Sequence, residues 1–296
     1  MSKPVRPRRS ILYMPGSNAR ALDKARNLPA DGYILDLEDA VASDSKAIAR
    51  QRVYEAVKAG GFGQREIIIR VNALSTQWGY DDIVAASKSD ADALLLPKVE
   101  SADAIRHMEA IMRANGAPAT MTIWAMMETP RSVLESQRIA ESTPRMECLV
   151  MGTSDLAKEL DCAHTYERLP FLASLSLCLL AARAAGLAIL DGVHLDLSDE
   201  AGFEFACRQG QEFGFDGKTL IHPKQVAPCN RAFTPKSTDV DWSRRIIEAY
   251  TTAAARGEGV VVVEGKLVEN LHVESARRLV TLADAIIALD AANAVA

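Results

Sequence analysis

Short apolar runs alternate with longer helical patterns along most of the chain. The runs are Ser10–Met14, Tyr33–Leu37, Glu66–Val71, Ala93–Leu96, residues 120–127 (TMTIWAMM), residues 147–152 (ECLVMG), Leu187–Leu190 and Gly217–Ile221. This alternation predicts right-handed βαβ units and a parallel sheet. Eight strands are what an α/β fold of the (β/α)8 TIM barrel type requires. A doubly wound open sheet is the alternative, although no glycine-rich dinucleotide fingerprint follows the first run.

The pattern changes beyond the eighth run. It predicts a long amphipathic helix over residues 239–257, a β-like run at Val260–Val263, a turn at Glu264–Lys266 and a final helix from about Ser275. We therefore expect residues 1–232 to form a (β/α)8 barrel catalytic domain. Residues 233–296 are expected to form a C-terminal helical and β extension that closes a barrel mouth.

Composition and charge narrow the class of protein. A hydrophobic fraction of 48% is enough for a full core, and a net charge of -5 argues against nucleic acid as the main partner. The basic N-terminus is followed by an apolar run of only Ile11–Met14, so we expect no signal peptide and no membrane partner. The five cysteines form no C-x-x-C pair, which suits a reducing compartment. These features together predict a cytoplasmic protein.

Polar residues gather at or just after the carboxyl ends of the predicted strands. In a barrel these positions converge on one face, where ligands bind. The set is acidic, with one arginine and one lysine inside it, and this suits a divalent cation that carries an anionic substrate. Its members are Asp36, Glu38, Asp39, Arg70, Asn72, Lys98, Glu128, Asp155, Asp191, His194 and His222.

Glu128 and Asp155 are the candidate metal ligands. Hard carboxylate oxygens without cysteine or histidine between them suit Mg²⁺, or Mn²⁺, better than Zn²⁺. The metal would polarise an oxygen of a small oxo- or hydroxy-acid. The alternative is that Glu128 caps the helix near Pro130 and that Asp155 caps the next helix.

Arg70 and Lys98 are the candidate cations of the site. The Arg70 guanidinium would hold a substrate carboxylate or stabilise an enolate oxygen; alternatively, it pairs with Asp36 or Asp39. A Schiff base on Lys98 is disfavoured, because nothing near it in sequence depresses its pKa and a metal site makes an imine unnecessary.

Eight strand-end motifs, in order, carry a resemblance to a known family. The segments RSILYMPGSN, LDLEDAV, IIIRVN, LLLPKV, METP, MGTSDLA, LAILDGV and LIHPKQV are similar to those of the citrate lyase β-subunit-like proteins of the HpcH/HpaI aldolase superfamily. That group includes the malyl-CoA and citramalyl-CoA lyases. The resemblance covers Arg9 to about Ala276. It implies a Mg²⁺-binding (β/α)8 barrel that cleaves or forms a C–C bond next to a thioester.

The resemblance also implies roles for individual residues. It assigns metal ligation to Glu128 and Asp155, and substrate binding to Arg70, to Glu128 and to the backbone amides of Gly152 and Thr153. It places Tyr13 and Lys24 at the coenzyme A site. It further implies a homotrimer or hexamer, in which the C-terminal segment closes a neighbouring subunit's active site.

The C-terminal turn departs from this pattern. Lyases of the group carry an aspartate after a G-(K/R)-x-V turn, whereas Gly265–Val268 is followed here by Glu269. We expect Glu269 to be the catalytic base, one methylene further out. The connection after Asp155 is also short, which favours the citrate lyase β-like branch over the malyl-CoA lyases proper.

The predicted function is Mg²⁺-dependent cleavage of a 3-hydroxyacyl-CoA that bears a carboxylate. Citramalyl-CoA or malyl-CoA would give pyruvate or glyoxylate and acetyl-CoA. The alternatives are a citrate lyase β subunit acting on a citryl-acyl carrier protein, a malyl-CoA thioesterase on the same barrel, and a non-catalytic subunit of an assembly. The basic residues Arg6, Arg8, Arg9 and Lys24 favour free coenzyme A over a carrier protein.

Overall fold

Eight parallel strands close into a barrel in the computed structural model, which describes residues 5–295. The (β/α)8 prediction is therefore confirmed and the open-sheet alternative is wrong, because β8 pairs with β1 through Ser10 and Lys218. The strands are β1 (Ser10–Pro15), β2 (Gly32–Asp36), β3 (Glu66–Arg70), β4 (Ala93–Leu96), β5 (Thr122–Met127), β6 (Met146–Met151), β7 (Ala188–Asp191) and β8 (Gly217–Leu220).

Helices follow the strands and pack around the barrel. They are α1 (Ala19–Ala25), α2 (Lys46–Ala59), α3 (Gly79–Ala86), α4 (Ala102–Ala114), α5 (Pro130–Leu134), α6 (Ser136–Ala140), α7 (Thr153–Glu159), α8 (Leu172–Ala184), α9 (Glu200–Phe213) and α10 (Val226–Phe233). A 3₁₀ turn, Leu169–Phe171, precedes α8.

Alternate residues of each strand fill two separate cores. Ile11, Ile34, Ile68 and Trp124 belong to the cluster inside the barrel. Their neighbours in sequence, such as Leu12, belong to the larger cluster between the strands and the helices. Because side chains alternate across a strand, one step along the chain moves a residue from the inside of the barrel to the helix layer.

Arg8 and Arg9 precede β1, at the end of the barrel opposite the strand carboxyl ends. Arg8 is buried and donates from Nε to Glu66 Oε2 at 2.7 Å, and Arg9 donates from Nη2 to Asp31 Oδ1 at 2.7 Å. The prediction that these arginines favour coenzyme A is therefore wrong, since both guanidinium groups already form buried ion pairs.

Thr234–Val295 forms a second compact unit. It contains α11 (Ser237–Ala254), an antiparallel hairpin of β9 (Val260–Val263) and β10 (Lys266–Glu269), and α12 (Asn270–Val295). The sequence pattern did not predict β10, and it placed the start of α12 five residues too late. Val268 is buried with Ile246, Val273 and Ala276 of the same unit, so this part of the hairpin has its own apolar cover.

The helices of residues 5–295 contain no segment that is both long and apolar enough to cross a membrane.

Candidate active site

A cavity of about 360 Å³ opens at the carboxyl ends of the strands. It brings together eight of the residues predicted from the sequence: Tyr13, Asp36, Asp39, Arg70, Glu128, Gly152, Thr153 and Asp155. The other lining residues are Ala40, Met126, Met151, Ser154, Val193, Leu195, Thr219 and Ile221.

Arg70 is held in the cavity by Asp36, its direct neighbour across the β2–β3 pair. Its Nε and Nη2 donate to the two Asp36 carboxylate oxygens at 2.7 and 2.6 Å. Its Nη1 lies 2.8 Å from Glu38 Oε2, and the guanidinium lies over the Tyr13 ring at 4.8 Å. Arg70 therefore both pairs with Asp36 and lines the cavity. A bidentate pair of this kind fixes the direction of the guanidinium.

Glu128 follows β5 and is almost completely buried, with an exposed fraction of 2%. Its Oε1 accepts a hydrogen bond from the Lys98 backbone N–H at 2.6 Å. Burial, followed by repulsion from Glu38 and Asp155, raises the pKa of Glu128 to about 8 despite that donor. The alternative that Glu128 is a helix cap is wrong, because Thr129 is the N-cap of α5 and forms a capping box with Ser132.

Gly152 allows Glu128 to lie against the end of β6. A Cβ at position 152 would come within 2.4 Å of Glu128 Cβ and 2.7 Å of its Oε2, closer than atoms can approach. The Gly152 N–H already donates to the Met127 carbonyl at 3.0 Å, so it is engaged in the barrel wall. Thr153 begins α7, where helix N–H groups have no partner within the helix, and Asp155 lies in the first turn.

Lys98 and Glu38 contact residues that line the cavity, Lys98 through Glu128 and Glu38 through Arg70. Lys98 adopts a left-handed backbone conformation, with φ of 50°, and its Nζ lies 3.4 Å from Glu38 Oε1. Partial burial acts to lower the pKa of Lys98, but Glu38 and Asp39 outweigh it and raise that pKa. The ammonium is therefore protonated, which agrees with the prediction against a Schiff base. Burial, more than any nearby charge, raises the pKa of Glu38.

The two residues expected at the coenzyme A site lie in different environments. Tyr13 lines the cavity beneath Arg70, and burial raises the pKa of its hydroxyl. Lys24 is exposed in α1 and does not line this cavity. Glu269 lies at the end of β10 in the second unit, where its N–H donates to His272 Nδ1 at 3.1 Å.

Four residues of the predicted ring have other roles. Asn72 is buried and its side-chain amide donates to the Leu37 carbonyl at 2.9 Å. His222 caps a 3₁₀ turn through Lys224 N–H. Asp191 and His194 belong to a second group of residues, with Arg168 and Lys218, which the sequence analysis missed. The available signal for that group was a lysine inside a predicted strand, G-K-T-L.

The donor set of the first cavity fits Mg²⁺. Within residues 5–295 no group of three or more His, Cys, Asp or Glu residues is arranged to hold a metal. Mg²⁺ is commonly bound by one or two carboxylates together with waters and substrate oxygens, as Glu128 and Asp155 would provide. The repulsion that raises the pKa of Glu128 is the kind of strain that a bound cation relieves.

Sequence comparisons relate this chain to known proteins. Residues 9–223 match the sequence profile of the HpcH/HpaI aldolase/citrate lyase family. A (3S)-malyl-CoA thioesterase of Cereibacter sphaeroides is 45% identical over 98% of this chain and 100% of its own length. An L-malyl-CoA/beta-methylmalyl-CoA lyase of the same species is 33% identical, with 96% of each chain covered.

A solved structure is similar as well. The protein CitE from Mycobacterium tuberculosis, in complex with magnesium, acetoacetate and coenzyme A, aligns with a TM-score of 0.70 and 28% sequence identity. The alignment covers 93% of this chain and 97% of that one.

Proposed function

Because the chain belongs to the HpcH/HpaI aldolase/citrate lyase family, we propose that it is a Mg²⁺-dependent enzyme acting on a 3-hydroxyacyl-CoA with a free carboxylate. Malyl-CoA is the first candidate substrate. The observation that carries this proposal is the single cavity in which Arg70 lies beside Glu128 and Asp155.

Each of these side chains has a role that its contacts support. Asp36 accepts from Nε and Nη2 of Arg70, and Nη1 pairs with Glu38 at 2.8 Å. Because Nη1 carries two N–H groups, its second N–H would hold a substrate oxygen. Glu128 and Asp155 would hold the metal. Bound Mg²⁺ supplies Lewis acidity, which polarises a substrate carboxylate, hydroxyl or carbonyl oxygen. The Thr153 amide at the start of α7 would donate to the substrate carboxylate. Tyr13 and Lys24 remain the proposed contacts for coenzyme A.

Two outcomes are open to a thioester in this site. In hydrolysis, water replaces the thiol at the thioester carbon, so malyl-CoA and water give malate and free coenzyme A. In C–C cleavage, the hydroxyl loses its proton as the bond breaks, and malyl-CoA gives glyoxylate and acetyl-CoA. The 45% identity to a malyl-CoA thioesterase favours hydrolysis. The family name and the lyase relative support cleavage as the second candidate.

We assign the base in either reaction to Glu269, contributed by a neighbouring copy of the chain in a trimer or hexamer. The base takes its proton from water in hydrolysis and from the substrate hydroxyl in cleavage. Mixing inactive Glu269→Gln protein with inactive Glu128→Gln protein should restore activity after subunit exchange. Full activity of Glu269→Gln alone would remove Glu269 from the mechanism.

One assay separates the two outcomes. Malyl-CoA is incubated with the protein and Mg²⁺, and free thiol and glyoxylate are measured separately. Hydrolysis releases thiol without glyoxylate, and cleavage releases glyoxylate without thiol. Citramalyl-CoA and methylmalyl-CoA extend the panel, with Glu128→Gln as the inactive control. If no thioester of the panel reacts, the proposed substrate class is wrong.

A further inference from the structure

A second cavity of about 360 Å³ lies on the helix side of the barrel wall. Asp191 and Lys218 pair in register across β7 and β8. Leu190, the residue before Asp191, belongs to the core inside the barrel, so Asp191 faces outward. Thr153, Val193 and Leu195 line both cavities, which makes the second cavity a neighbour of the first.

The floor of the second cavity carries an unbalanced positive charge. Asp191 accepts hydrogen bonds from Arg168 Nη1 and Nη2 at 2.7 and 2.6 Å and from Lys218 Nζ at 2.8 Å. Burial acts to raise the pKa of Asp191, but Lys218 and Arg168 outweigh it and hold that pKa below its usual value. The carboxylate is therefore ionised, and two cations surround one anion.

Both cations still have donors to offer. Among the described residues, Arg168 donates through Nη1 and Nη2 to Asp191 and to the Ala206 carbonyl, which leaves Nε unused. Lys218 has an exposed fraction of 1%, and an ammonium has three N–H donors. Among the residues that the structure describes, the one hydrogen bond of the Lys218 ammonium is to Asp191. A buried charge without a counter-charge is costly, and a bound anion would balance it. Arg168 adopts a left-handed conformation, with φ of 59°, in presenting its guanidinium to Asp191.

The remaining polar groups of the cavity are neutral or peripheral. Burial and then Lys218 lower the pKa of His194, and burial and then Arg168 lower that of His164, so both imidazoles are neutral near pH 7. His194 Nε2 is buried without a hydrogen bond in the described part of the chain. Two carboxylates oppose an anion: Asp199, which caps α9 and lies 3.8 Å from His194, and the exposed Asp196.

The walls select for an organic anion over an inorganic one. Phe171, Val193 and Leu195 give the cavity an apolar side, opposite the charged floor. We propose that this cavity is a second binding site, which takes the carboxylate of a short-chain organic acid on Arg168 and Lys218. The site needs no metal, so the inference does not depend on the reaction proposed above.

Calorimetric titration with butyrate, in EDTA, tests the site on the full chain. Wild-type protein should bind butyrate, and Arg168→Gln should bind it at least about tenfold more weakly, because that variant leaves Lys218 neutralised by Asp191. Inorganic phosphate should also bind at least about tenfold more weakly than butyrate, since it gains nothing from the apolar wall.

Three variants locate the bound acid. Arg183→Gln is the matched control, because Arg183 makes a similar bidentate pair with Asp216 away from this cavity. Arg70→Lys tests the first cavity. Both should bind butyrate as the wild type does. Ala206→Leu fills the second cavity and keeps all of its charged side chains, so it should lose binding. This variant tests the site even if Arg168→Gln folds poorly.

Equal binding by wild-type and Arg168→Gln protein would overturn the proposal, as would loss of binding in Arg70→Lys. Phosphate binding as tight as butyrate would overturn the assignment to an organic acid.

Discussion

Two arginine–aspartate pairs lie at strand ends of this barrel. One lies among additional carboxylates, and the other lies beside an additional cation. Arg70 pairs with Asp36 between β2 and β3, and Arg168 pairs with Asp191 at the end of β7. Both pairs are bidentate and largely buried. Asp36 and Arg70 follow the alternation of Ile34 and Ile68 and face the inside of the barrel, whereas Asp191 faces the helices.

The neighbours of each pair determine what the region can bind. Glu38, Glu128 and Asp155 surround Arg70, and this excess of carboxylates favours a divalent cation. Lys218 stands beside Arg168, and this excess of cations favours an anion. The carboxyl pKa values differ in the same sense. Burial and then Glu38 raise that of Glu128 to about 8, whereas Lys218 and Arg168 outweigh burial and lower that of Asp191. An arginine–aspartate pair therefore does not indicate by itself what a region binds. The net charge of the residues around the pair is also needed.

The largest expected effect follows removal of the Glu128 charge. Glu128→Gln keeps the shape of the side chain but loses a proposed metal ligand, so activity with Mg²⁺ should fall by roughly a thousandfold or more. The thermal stability of the metal-free protein at pH 7 should not fall, because a buried carboxyl whose pKa is raised to about 8 is replaced by a neutral group of the same shape. Steady-state kinetics and thermal unfolding in EDTA measure both. An active variant would contradict the metal assignment.

Arg70→Lys should have the next largest effect. Lysine keeps the charge but loses the fork that holds Asp36, so we expect kcat to fall by roughly a hundredfold. The free energy of unfolding should also fall, by about 1–3 kcal/mol, because two hydrogen bonds to a buried carboxylate are lost. Unchanged kcat together with reduced stability would make Arg70 a purely structural residue.

The dependence of stability on pH should have opposite signs in the two regions. Glu128 has a raised pKa in the folded state, so without metal it stabilises the fold at low pH, and this contribution is lost as pH rises from about 4.3 to 8. Asp191 has a lowered pKa, so its contribution is present above about pH 3.9 and is lost as pH falls through the folded value.

Thermal unfolding in EDTA from pH 3 to 9 measures this difference. The stability of Glu128→Gln relative to wild type should increase with pH up to about 8. A constant difference between the two proteins would show that the pKa of Glu128 is the same in the folded and unfolded states. Asp191→Asn leaves two buried cations without their anion and should be destabilised by about 3–5 kcal/mol at pH 7.

Tyr13→Phe is expected to have the smallest effect. The ring beneath Arg70 is kept, and the lost hydroxyl contacts only the Met126 sulfur, at 3.9 Å, among the described residues. Activity should change by less than about fivefold. Tyr13→Leu, which removes the ring, should lower activity more. A large loss in Tyr13→Phe would instead assign the hydroxyl a direct contact with substrate.

Much of the fold could be read from the chain, because the two periodicities that define it are local. The short apolar runs predicted all eight strands to within about two residues at each end. The strand-end rule then brought Arg70, Glu128 and Asp155 to one cavity. These results need only the period of each element and the parallel direction of the strands.

Tertiary structure alone decided which of the strand-end residues share a cavity and which do not. The sequence placed Asp36 and Asp191 in one ring, but one step of side-chain alternation separates the inside of the barrel from the helix layer. It could not show that Arg168, from a loop, would meet Lys218 of β8 around Asp191. It also could not show that Arg8 and Arg9 are buried against Glu66 and Asp31. Such pairings join residues that are distant in sequence. The net charge around each pair is therefore determined only when the chain has folded.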